Sequence, residues 1–152
     1  MNDPSPRTLV LDTSVAVKFY LPKSLMEEAR RLRTLVEDEA AELIAPSTIQ
    51  PELWNALWQQ HRRADLPLEV VRNIWEEFSE DPVLFFEIDA LMPRSVEIAA
   101  NSGAIVYDAL FLALAEETET VMITADDRLL KTLPETPFAG LAHYLVNVTD
   151  LL

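Results

Sequence analysis

Apolar residues in this chain fall into two kinds of run. Some are short blocks without alternation; others are longer stretches spaced by three and four. The first block, Thr8–Leu11, ends in Asp12 and predicts a buried strand. Ser14 to Tyr20 predicts a short helix, stopped near Pro22. Ser24 opens a charged amphipathic helix to about Glu39, with Leu25, Ala29, Leu32, Leu35 and Val36 on one face. Leu43–Ala45 is a second strand, closed by Pro46. Ser47 or Thr48 caps a helix to about Ala64 that carries Leu53, Trp54, Leu57 and Trp58. Pro67 sits at the first turn of a helix over Leu68 to Ser79, where proline is tolerated. Val83–Ile88 is a third strand, after the Asp81-Pro82 turn. Pro93 starts a helix that Gly103 ends, and Val106–Glu117 is another. Val121–Thr124 is a fourth strand, followed by a short helix from Asp126. Tyr144–Val148 is expected as a last edge strand.

Strands therefore alternate with helices, and the strands are apolar throughout. This predicts a mainly parallel sheet of four to five strands covered on both faces, a three-layer α/β/α sandwich. No repeat, linker or low-complexity tract divides it. One domain over 1–152 is expected, with 1–7 a flexible N-terminal segment. In such sheets the ligand site lies at the carboxyl ends of the strands.

Four acids stand out against this frame. Asp12 ends the first strand, and Thr124 and Asp126 follow the fourth, on the same rim. For one such aspartate the ordinary explanation is an N-cap for the next helix; two on one rim shift the balance toward a site. Asp108 stands inside the apolar stretch Ile105–Phe111, where a carboxylate is costly to bury unless paired or bound to a metal. Glu52 lies in the first turn of its helix beside Pro51. Both also fit acids that interact favourably with a helix dipole, and for Glu52 alone that explanation outweighs function. Together, the four match what Mg²⁺ or Mn²⁺ requires, hard oxygen ligands from a few carboxylates. Ions held this way lower the pKa of a water and stabilise a leaving oxygen in attack on a phosphodiester.

Composition narrows the chemistry. The chain has no cysteine, so disulfides, thiolate zinc sites and a cysteine nucleophile are excluded. Only 2 glycines occur, too few for a glycine-rich phosphate loop. The two histidines, His61 and His143, are expected on a helix surface and in a loop, away from the strand ends, so a histidine-based ribonuclease mechanism is poorly supported. Met1 to Arg7 is polar, without the apolar core of a signal peptide. No apolar run is long enough to span a bilayer. A cytoplasmic protein with no membrane partner is expected.

At this point the motifs have a resemblance. Leu9–Ser14 resembles the opening strand of PIN domains, Glu52–Leu57 their central acidic helix start, Tyr107–Ala115 their third acid and its helix, and Thr124–Leu129 their Thr-x-Asp block. The four occur in the family's order and cover essentially the whole chain. Each motif alone is short and weak; four in order are fairly specific. The size and the helical pair from Thr48 to Ser79 resemble the toxin branch called VapC. The resemblance implies a Mg²⁺- or Mn²⁺-dependent endoribonuclease. Asp12, Glu52, Asp108 and Asp126 would form the acidic site, and Ser14 and Thr124 would position carboxylates or a water. Asp127 is expected to cap the helix from Arg128 rather than join the site. The resemblance also implies an RNA substrate, a homodimer and a cognate antitoxin. Val15, Val17, Phe19 and Tyr20, with Trp54 and Trp58, are candidates for the apolar face the antitoxin needs; core packing is expected for at least half of the aromatics.

Charge pulls the other way. Acids number 26 against 12 Lys plus Arg, a net charge of -14, whereas proteins that bind polyanions are usually basic. Two divalent ions would bring this only to about -10. RNA binding then requires basic residues gathered at the site mouth, from Lys18, Arg62, Arg63, Arg72, Arg94, Arg128 and Lys131. An acidic surface suited to a basic antitoxin is the other possibility. Two further enzyme classes fit poorly. A haloacid-dehalogenase-type phosphatase wants a second acid where Ser14 stands, and a receiver domain wants an acid pair ahead of Asp12. The remaining alternative is a catalytically silent PIN scaffold that binds protein or RNA.

Overall fold

The computed structural model describes residues 5–152; most of the expected N-terminal segment lies outside them. Five strands, β1 (Arg7–Leu11), β2 (Ala41–Pro46), β3 (Val83–Phe86), β4 (Met122–Thr124) and β5 (Ala142–Tyr144), form one sheet in the order β3-β2-β1-β4-β5. Every pairing is parallel. Leu9, Val10 and Leu11 are consecutive and all fully buried. Successive side chains of a strand point to opposite faces, so both faces of β1 are covered. The three-layer α/β/α expectation holds.

Among the described residues, seven α-helices flank the sheet: α1 (Thr13–Ala16), α2 (Met26–Glu37), α3 (Ile49–Ala64), α4 (Leu68–Glu80), α5 (Met92–Ser102), α6 (Val106–Glu117) and α7 (Asp127–Thr132). Helix α6 packs on β1 and β2, and α5 packs against it. Its residues Ala109–Ala115 are buried without interruption, which makes it the central core helix. Helices α3 and α4 pair through Trp54 and Trp75, whose rings stack at 4.6 Å. Arg33 of α2 reaches Asp81 at 3.1 Å and lies over the Phe19 and Tyr20 rings, tying α2 to the turn before β3.

Several expectations need correction. Arg7 is a strand residue paired with Ala41, so the last of residues 1–7 belongs to the sheet. The expected helix Ser14–Tyr20 is one α-turn followed by a 3-10 turn, Val17–Phe19. Helix α2 starts at Met26 because Leu25 adopts a left-handed φ of 64° ahead of it. Thr48 is the N-cap of α3, as expected, but its side chain makes no capping hydrogen bond. The expected strand Tyr144–Val148 is instead β5 followed by a 3-10 segment, Leu145–Leu151. Leu145 and Val148 are buried while Val146 and Asn147 are exposed, and spacing by three is a 3-10 pattern, not a strand pattern. His143 lies in β5, not in a loop, with Nε2 2.9 Å from the Asn147 carbonyl.

Candidate active site

The sheet's direction of growth reverses between β1 and β4. From β1 the chain winds through β2 to β3 on one side and continues through β4 to β5 on the other. A crevice opens at the carboxyl ends of strands at such a point. Leu11 pairs with Ile123, and the Asp12 N–H donates to the Ile123 carbonyl at 3.1 Å. Asp12 and Thr124 are therefore neighbours by register. A one-residue slip of β4 would turn Thr124 to the opposite face.

Asp12 occupies the N-cap position of α1, yet its side chain makes no capping hydrogen bond. Its Oδ2 instead accepts from Ser14 Oγ at 2.6 Å and Thr124 Oγ1 at 2.8 Å. Ser14 Oγ is held in turn by the Ala125 N–H at 2.9 Å, and Thr124 Oγ1 by the Asp126 N–H at 3.1 Å. The carboxylate is almost fully buried, at 6% exposure. Burial pushes its pKa up; the bonds from Ser14 and Thr124 oppose this, and the Asp126 charge adds to it.

The other three acids lie near enough to interact by charge: Glu52 with Asp12 and Asp108, and Asp126 with Asp12 and Asp108. Glu52, in the first turn of α3, is pushed up to about 8 by burial and then by the charges of Asp12 and Asp108. Asp108, in the first turn of α6, is pushed up to about 6 by burial, Asp12 and Asp126, with Arg128 opposing. Asp126 is a true helix cap, its Oδ1 accepting from the Arg128 N–H at 2.9 Å and the Leu129 N–H at 3.4 Å. The ordinary explanation thus holds for part of Asp126 and fails for Asp12. The fold brings all six predicted site residues together: Asp12, Ser14, Glu52, Asp108, Thr124 and Asp126.

These groups suit a hard divalent cation in kind. They are oxygen donors whose mutual repulsion is relieved by positive charge, and Arg128 is the one cation opposing it at Asp108. They do not close into a cage: among the described residues no three acidic or histidine groups are disposed to hold one ion. Mg²⁺ is compatible with this, since it keeps several waters and takes one or two carboxylates.

Other expectations change. Asp127 is the first residue of α7 and Asp126 its cap, so the capping role moves by one residue. Lys18 is buried, its Nζ donating to the Ser24 carbonyl at 2.8 Å. Arg94 is paired with Glu116 at 2.7 Å and Glu97 at 2.8 Å. Neither is free to steer RNA as placed, which leaves Arg62, Arg63, Arg72, Arg128 and Lys131. Of the candidate partner face, Val15 is core, Val17, Phe19, Tyr20 and Trp54 pack against the core, and Trp58 alone is exposed, at 46%. Thr13 had no assigned role, yet its Oγ1 donates to Glu52 Oε2 at 3.5 Å. Its place between Asp12 and Ser14 was the available clue.

Fold and rim together define an open parallel α/β protein with an acidic site at its switch point. The chain belongs to the PIN domain family, whose profile matches residues 9–133. It is 28% identical over 130 residues to the protein named Ribonuclease VapC3 from Pyrobaculum aerophilum, covering 83% of this chain and 95% of that one. Its fold is similar to the crystal structure of PAE2754 from the same organism, with TM-score 0.69 and 18% identity over 97% of this chain and 89% of that one. It is also similar to a toxin-antitoxin complex from Klebsiella pneumoniae, with TM-score 0.58 and 15% identity over 83% and 92%.

Proposed function

We propose that the protein is a Mg²⁺- or Mn²⁺-dependent endoribonuclease acting as the toxin of a toxin–antitoxin pair in the cytoplasm. The observation that carries this reading is the buried Asp12 carboxylate at the end of β1, held by the Ser14 and Thr124 hydroxyls instead of capping its helix. The family membership and the ribonuclease name of the Pyrobaculum relative support it. The Klebsiella neighbour supports an antitoxin partner. A homodimer is part of the same reading.

A divalent ion, if held here by Asp12 with Asp108, Asp126 or Glu52, would lower the pKa of a bound water and offset charge on the phosphate. Asp12 is the fixed ligand, because two hydroxyls and its burial hold one rotamer. Ser14 and Thr124 set that geometry, both bonding the same Asp12 oxygen, Oδ2. Asp108 and Glu52 are the further carboxylates of the site; either would help hold the ion or, deprotonated, accept a proton from water. Arg128, beside Asp108, is placed to meet phosphate.

The test is cleavage of total RNA by purified protein with Mg²⁺, with Mn²⁺ and with EDTA, beside Asp12→Asn and Asp108→Asn. Ion-dependent cleavage lost in both folded variants is the expected result. No cleavage by the wild type and no ion-induced stabilisation would favour the silent scaffold.

A further inference from the structure

One side of the acidic rim opens into a less polar hollow. A cleft of about 420 Å³ lies between the starts of α3 and α6, lined by Thr48, Pro51, Glu52, Asn55, Ile105 and Tyr107. This is within the size range of small-ligand sites, roughly 300–1,000 Å³. It shares Glu52 with the carboxylates, and Tyr107 is the residue before Asp108. Whatever fills it is part of, or adjacent to, the molecule at those acids.

The lining specifies the occupant. Ile105 is 61% exposed and Tyr107 60%, at the head of a helix whose next residues are core. Large apolar groups left in water beside functional acids mark a contact surface. No cationic side chain lines the cleft and Glu52 does, which disfavours a phosphate or a carboxylate. The polar atoms present are the exposed Asn55 amide, which both donates and accepts, and Thr48 Oγ1, which is buried without a partner. An aromatic face, an apolar wall and an amide suit a flat neutral heterocycle. A guanidinium would bring five donors to a single carboxylate.

We propose that this cleft is a nucleobase subsite, in which the base next to the reacting phosphate stacks on Tyr107 and is read at its edge by Asn55. The proposal rests on the nuclease reading. It is tested with a randomised single-stranded RNA pool and Mn²⁺, the cut ends being sequenced, for wild type, Tyr107→Phe, Tyr107→Ala and Asn55→Ala. Tyr107→Phe should cleave as wild type does. Tyr107→Ala should lose about 5- to 150-fold in kcat/KM, mainly through KM, the range for one aromatic–base stack. Asn55→Ala should relax base preference at one position flanking the cut. An abasic nucleotide at that position should slow the wild type by a similar factor and leave Tyr107→Ala unaffected; a merely structural defect would instead add to the abasic loss.

Tyr107→Ala cutting like wild type, with unchanged preference, overturns the subsite and leaves the nuclease reading standing. Unchanged RNA cleavage with lost binding of an arginine-rich peptide assigns the cleft to a protein partner and overturns it too. A wild type that neither cuts nor binds the pool removes the nuclease reading and the subsite together.

Discussion

Thr124 Oγ1 donates to Asp12 Oδ2 at 2.8 Å across 112 residues of sequence. The pair is buried, and the parallel register of β1 and β4 sets it, since Leu11 lies against Ile123 one residue earlier on each strand. Thr124→Val keeps the shape and removes both the donor to Asp12 and the acceptor for the Asp126 N–H. Hydrogen bonds to charged groups contribute about 1.5–3 kcal/mol. We expect Thr124→Val to lower stability by about that amount in urea titrations and to reduce RNA cleavage. Unchanged stability would mean the bond to Asp12 is not maintained in solution.

The upward shifts of Glu52, to about 8, and Asp108, to about 6, set a pH dependence. The folded chain holds these protons more tightly than the unfolded chain. Their stabilising contribution is complete below the unfolded carboxyl pKa of about 4 and is lost as pH rises through the folded values. In EDTA, Tm should therefore fall between about pH 5 and pH 8. Glu52→Gln removes one ionisation and should flatten the upper part of that fall. A Tm that rises through this window, or a Glu52→Gln profile superimposed on the parent's, would show the acids to be less buried or less coupled than described.

Divalent ions should reverse the same fall. Deprotonated carboxylates are the ligands, so Mn²⁺ should raise Tm more at the alkaline end of the window than at the acid end. Asp108→Asn removes one repelling charge. We expect it to raise the metal-free Tm at the alkaline end while abolishing cleavage and shrinking the Mn²⁺-induced rise. This opposite movement of stability and activity separates a strained functional acid from a helix-dipole acid. For the latter, Asn would lower stability and leave the ion response alone.

Much of this arrangement was legible in the chain. The blocks at Thr8–Leu11 and Val121–Thr124 are too apolar for a one-sided sheet, and their common rim followed from parallel order. Helix α6 was read with its observed limits because seven buried residues follow Asp108 and Gly103 stands just before. What failed was local. Leu145 and Val148 satisfy a 3-10 spacing that the short, mostly apolar run Tyr144–Val148 does not distinguish from a strand. Leu25 adopts a positive φ that no composition announces. Lys18 is among the candidate steering cations, but the folded chain buries it and its ammonium donates to the Ser24 carbonyl. Whether a basic residue is free depends on tertiary neighbours, as Arg94 also shows with Glu116 and Glu97.

Gly103 connects this local chemistry to the site. It ends α5 at φ 83°, where its N–H bonds the Ala99 carbonyl at 3.0 Å, and the turn it makes aims α6 so that Asp108 reaches the rim. A β-carbon here would meet Thr132 Cγ2 at 3.8 Å, an ordinary contact, so space is not the constraint. The constraint is the left-handed backbone, which disfavours an L-residue by roughly 1–2 kcal/mol. Gly103→Ala should lower unfolding free energy by about that amount, and Gly103→Asn by less, because asparagine tolerates this region better. If the turn also fixes Asp108, Gly103→Ala should reduce cleavage beyond what its unfolded fraction explains, and Gly103→Asn should restore it. Equal stability of all three proteins would mean the turn relaxes to another conformation, and the placement of Asp108 would then need a different support.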